Sequence, residues 1–135
     1  MANRQYKDTV FRAFFNHERE IAELYQAIRP EDDVRAEDIT ITTLDDVFLD
    51  QQKNDLSFLW KDQSVVLVEH QSSLNPNMPY RLLIYSALVM LASFADSKAL
   101  YGTKLVKIPA PHFYVLYMGL SIVLCKFFSQ PCRTY

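Results

Sequence analysis

This chain has little cysteine, no excess of positive charge, and no uninterrupted apolar run long enough to span a bilayer. Its two cysteines, Cys125 and Cys132, both fall in the last eleven residues, at a spacing that matches no zinc pattern. With no signal-peptide pattern at the start, they read as reduced thiols, and the expected compartment is the cytoplasm. The 14 Lys and Arg against 16 Asp and Glu leave a net charge of -2, which excludes a general basic field for nucleic acid. From Glu31 to Asp55 the imbalance is local, with nine acids facing only Arg35 and Lys53. A DNA partner would therefore need metal ions, or a basic segment from elsewhere, to offset the repulsion. The apolar run Leu82 to Phe94 is too short to cross a bilayer, and Ile108 to Cys125 is interrupted by Pro109, Pro111 and Gly119, so no membrane span is expected. There is no repeat, low-complexity tract or linker. With 135 residues, half of them hydrophobic and 22% charged, one globular domain is expected.

The residues that are present alternate between helical and extended patterns. Tyr6 to Ile28 carries apolar groups at helical spacing that fit one amphipathic helix, or two with a break near Asn16-His17, and Pro30 ends the segment. The acidic stretch that follows reads as a solvated connector. A first strand lies somewhere in Ile39 to Leu49. Asn54 to Trp60 and Val65 to Gln71 make a hairpin around Lys61-Asp-Gln-Ser64. A turn-rich loop then leads to a helix from about Met78 to Asp96, capped by Asn77 with Pro79 in its first turn. Phe113 to Met118 reads as another strand. The order helix, strand, hairpin, helix, strand indicates an α/β domain.

The hairpin holds the chemistry. Glu69 sits inside the apolar run Val65-Val-Leu-Val-Glu-His-Gln71, and a buried carboxylate without a partner costs several kcal/mol, roughly, so it pairs, neutralises or binds a cation. Asp55 lies near the start of the neighbouring strand. Two carboxylates brought to one edge form a candidate magnesium site. Side chains directly opposite on antiparallel strands share a face. Asp55 and Glu69 therefore require an odd-numbered loop, or an even one with a bulge. By alternation His70 points to the other face and is expected to be packed rather than catalytic. Arg81 and Tyr85 share a helix face, where they can meet a phosphate or hold Glu69. Asp8 and Glu18 are expected on a solvated helix face or as caps.

Five segments in this order resemble the PD-(D/E)XK nuclease superfamily. They are Tyr6-Lys-Asp-Thr-Val-Phe-Arg12, Lys53-Asn-Asp-Leu-Ser-Phe58, Glu69-His-Gln-Ser72, Asn75-Pro-Asn-Met-Pro79 with Arg81, and Lys107-Ile-Pro109 leading to Phe113-Tyr-Val-Leu-Tyr117. The resemblance is to the bacterial PD-(D/E)XK nuclease family transposase, or recombination-promoting nuclease, of mobile elements. It implies a restriction-endonuclease-like core, with a central mixed sheet flanked by helices, over residues 1–118. It also implies a magnesium-dependent DNA endonuclease linked to transposition or recombination. Asp55 and Glu69 would be the metal-binding acids, Gln71 would stand where such nucleases usually have Lys, and the backbone carbonyl of His70 would complete the ligand set. Gln71 can orient a water but cannot carry a positive charge, which leaves water activation to the metal. Residues 119–135 depart from the family as an atypical apolar tail, and a frameshifted or truncated product is expected, with a genuine short variant as the alternative. A catalytically inactive nuclease-fold relic or interaction domain is the alternative function.

Overall fold

A computed structural model describes residues 9–43, 55–94, 97–117, 121–125 and 133–134. Its helices are α1, described at residues 9–14, α2 (Glu18–Ile28), α3 (Met78–Phe94) and α4 (Ser97–Leu100). Its strands are β1 (Ile39–Ile41), β2 (Leu56–Trp60), β3 (Ser64–Gln71), β4 (Ala110–Tyr117), β5 (Ser121–Cys125) and β6 (Arg133–Thr134). They follow the same order across one mixed sheet. All neighbours are antiparallel except β3 and β4, which run parallel. A parallel pair needs a crossover connection, and α3 lies within it. The chain is an α/β protein with helices against both faces of its sheet. No helix among the described residues is long and apolar enough to cross a membrane.

Alternation along β3 divides the core. Val65 and Leu67 pack with Leu59, Phe113 and Val115 beneath Met78, Leu82, Tyr85 and Val89 of α3. Val66 and Val68 face the other way, with Leu56, Phe58 and Tyr114, against Ile21, Ala22 and Tyr25 of α2. A strand covered on both sides needs apolar groups at successive positions, which is why Val65 to Val68 reads as an unbroken run. Tyr25 anchors the α2 side, edge-on to Phe58 and Trp60 at 5.3 Å each.

The hairpin has an odd loop. Trp60 lies opposite Ser64, leaving Lys61, Asp62 and Gln63 between the strands. Lys61 and Asp62 both take φ of 53°, the left-handed region that Asp tolerates better than most residues. Lys61 N–H donates to the Asp38 carbonyl at 2.9 Å and Gln63 N–H to the Trp60 carbonyl at 3.1 Å, which fixes the turn against the start of β1.

Other boundaries follow the sequence with local differences. The N-terminal helices separate at residues 15–17. In the acidic connector, Arg29 meets Asp32 and Glu31 while Arg35 meets Asp33 and Glu37; Arg29, just outside the acidic stretch, is a counter-ion missed in the local charge balance. The first strand is only three residues long. Beyond it Thr42 N–H donates to the Ser57 carbonyl at 2.9 Å, and the Thr43 hydroxyl both accepts from Ser57 N–H and donates to its carbonyl, each at 3.2 Å. Residues 44–49, the rest of that expected strand, lie outside the described residues. The Asn77 carbonyl accepts from Arg81 N–H at 3.0 Å, as a residue at the start of a helix should. β4 begins at Ala110 rather than Phe113. Among the described residues β5 pairs with β4 from Phe113 onward, so the described partner of Pro111 is Val65 of β3, and proline is tolerated where a strand begins. The described parts of residues 119–135 pair onto the sheet as β5 and β6.

His112 of β4 lies beside Val66 in register and is half-buried. Burial pushes its imidazole below the usual value, the Arg29 guanidinium adds to this, and Asp32 opposes it. The unfolded chain then binds more protons just below about pH 6.5, so the stability His112 contributes is whole above that pH and is lost as pH falls. Thermal melts from about pH 8 to about pH 5 should show a falling Tm, with a shallower fall in His112→Gln. Equal slopes in the two proteins would remove His112 as a cause.

Candidate active site

The site lies at the end of the β2–β3 hairpin away from its turn. Leu56 opposite Val68 is the last pair of the ladder toward this end, and the next step along both chains is Asp55 and Glu69. Asp55 sits in a bend just before β2. Its Oδ2 accepts from His70 N–H at 2.8 Å, and its own N–H donates to Glu69 Oε1 at 3.1 Å. Each acid thus satisfies a backbone amide of, or next to, the other. Charge-assisted bonds of this kind are stronger than neutral ones, and they hold the two side chains together where the ladder stops.

Glu69 is 1% exposed, which is costly for a carboxylate unless it is paired. The partner comes from α3. Arg81 Nη2 stands 3.3 Å from Glu69 Oε2, and Tyr85 OH lies 3.4 Å from Arg81 Nε and 3.3 Å from Nη2. The spacing of four places Arg81 and Tyr85 on the helix face that covers Glu69. Burial alone would lower the Arg81 guanidinium, but its bond to the Tyr85 hydroxyl and the nearby Glu69 and Asp55 carboxylates outweigh this and hold it above its ordinary value. Of the two roles weighed for Arg81, holding Glu69 is the one seen.

Gln71 is half-buried at the last position of β3, on Glu69's face by strand alternation. His70 faces the other layer, stacked on Phe11 at 5.0 Å with the rings 11° apart, as expected of a packed histidine. Glu18 is exposed in the first turn of α2, and Asp8 lies outside the described residues. Among the described residues no group of three or more His, Cys, Asp and Glu gathers to hold a metal ion. The donors that do meet, two carboxylates beside the His70 backbone, are all hard oxygens of the kind magnesium prefers.

One side of the site was not foreseen. Asp55 also lines a cleft of about 550 Å³ between α1 and the strand ends, with Thr9, Arg12, Ala13, Asn16 and Thr43. The only hint in sequence is the helical spacing of Thr9, Arg12 and Ala13. A polar helix face is so commonly just solvated that this spacing does not identify a site. Comparison of the chain with protein-family models, curated proteins and solved structures returns no match.

Proposed function

We propose that this protein is a magnesium-dependent DNA endonuclease of the PD-(D/E)XK type, linked to transposition or recombination, with the sheet and its helices as a restriction-endonuclease-like core. The reading rests on the sequence resemblance. The observation that carries it furthest is the hydrogen-bonded junction of Asp55 and Glu69 at one end of the hairpin. Asp55 and Glu69 would hold the magnesium ion with the His70 carbonyl. When bound, such an ion supplies a water of lowered pKa and stabilises charge on the phosphate. The protein's own part is to hold the two carboxylates together through backbone amides. Gln71, on Glu69's face, can orient a water by its amide without moving a proton.

A second reading, a non-catalytic relic or interaction domain of the same fold, is favoured by the Arg81–Glu69 ion pair, which compensates the buried charge without a metal ion. The experiment that separates the two is plasmid cleavage by purified protein with and without magnesium. Cleavage that requires the ion and disappears in Asp55→Ala supports the endonuclease. A folded wild-type protein that leaves plasmid intact at millimolar magnesium supports the relic.

A further inference from the structure

The cleft between α1 and the strand ends shares Asp55 with the candidate metal site, yet no part of the proposed chemistry uses it. Its volume of about 550 Å³ falls within the roughly 300–1,000 Å³ of small-ligand sites. Thr9 and Ala13 of α1 and Asn16 just past its end are exposed along one wall and Arg12 is half-buried in it, so it is open to solvent on that side. The opposite wall is braced, because Thr43 is held by two hydrogen bonds to the Ser57 backbone. Asp55 is held in turn by His70 N–H. The cleft therefore sets one guanidinium and one amide side chain across from the acid that ends the hairpin. Arginine's fork of donors matches phosphate oxygens. An anion seated beside Arg12 would lie next to Asp55, where a bridging cation would also be needed.

We infer that this cleft is the seat of the phosphodiester backbone, with Arg12 binding a phosphate of the DNA strand and Asn16 beside it. The inference rests on the endonuclease reading for the identity of the anion. In a chain of net charge -2, this seat places the phosphate contact in one groove rather than over a basic face. Each phosphate neutralised by Lys or Arg contributes about 0.9 to the slope of log affinity against log salt.

The test is fluorescence anisotropy of a short labelled DNA duplex across a salt series, with calcium in place of magnesium so that a hard cation is available beside Asp55. Arg12→Gln should weaken binding about tenfold and reduce the salt slope by about one. Ala13 is exposed on the same wall and provides variants that keep the fold. Ala13→Lys should tighten binding and steepen the slope by about one, and Ala13→Glu should weaken it. Should Arg12→Gln fail to fold, the Ala13 pair decides. Wild-type binding that is indifferent to all three substitutions, or no binding at all, overturns the inference. Cleavage measured separately keeps the two readings apart. Binding through the cleft without magnesium-dependent cleavage retains the seat and rejects the nuclease, whereas cleavage insensitive to Arg12 and Ala13 does the reverse.

Discussion

If the protein is the proposed endonuclease, Glu69→Gln should lower magnesium-dependent cleavage by about 10³-fold while leaving the protein folded. A metal ion contributes several kcal/mol of transition-state stabilisation in such chemistry, and each step of about 1.4 kcal/mol is tenfold in rate. The substitution keeps side-chain volume, so β3 stays packed between its two layers. Its stability cost comes from donors that Glu69 now satisfies, among them Asp55 N–H and Arg81 Nη2. An amide offers only one oxygen, so its nitrogen is turned toward one of them, at about 1–3 kcal/mol. Single-turnover cleavage and a thermal melt on the same preparation check both halves. A variant that cleaves within tenfold of wild type would remove Glu69 from the metal site.

Arg81→Ala should lower stability by about 2 kcal/mol, less than the roughly 3–5 kcal/mol of breaking a fully buried pair, because the Arg81 side chain is 35% exposed and already partly screened. It removes the Arg81 charge from beside the buried Glu69 carboxylate. If magnesium binds at Asp55 and Glu69, it supplies that missing charge, and ligand binding stabilises the folded state by mass action. Magnesium should therefore raise the Tm of Arg81→Ala by more than it raises that of the wild type. Melts of both proteins with and without the ion decide this. A lowered Tm that does not respond to magnesium would assign Glu69 a purely structural role, and an unchanged Tm would mean that Arg81 does not support Glu69 at all.

Much of this architecture was legible in the sequence because it depends on local chemistry. The doubly covered β3 follows from an unbroken run of Val and Leu, since only a strand with a layer on each side buries successive side chains. The helix break at residues 15–17 and the start of α3 after Asn77 follow from polar residues that compete with helical hydrogen bonding. Parity allowed an odd loop, or an even one with a bulge, if Asp55 and Glu69 were to meet, and the three-residue loop at Lys61 to Gln63 is one of these. The expensive position of Glu69 could likewise be read without coordinates, as could the need for some partner.

The sequence offered Arg81 as a partner for Glu69 or for a phosphate, and only the tertiary structure decided between them. Arg81 is twelve residues away in sequence, and it reaches Glu69 because the crossover from β3 to the parallel strand β4 lays α3 over that face. The same holds for the cleft beside Asp55, which exists because α1 packs across the ends of β1 and β2, three segments with no shared periodicity. Such contacts depend on how whole layers are placed, and no local pattern of residues encodes the distance between Arg12 and the end of a hairpin.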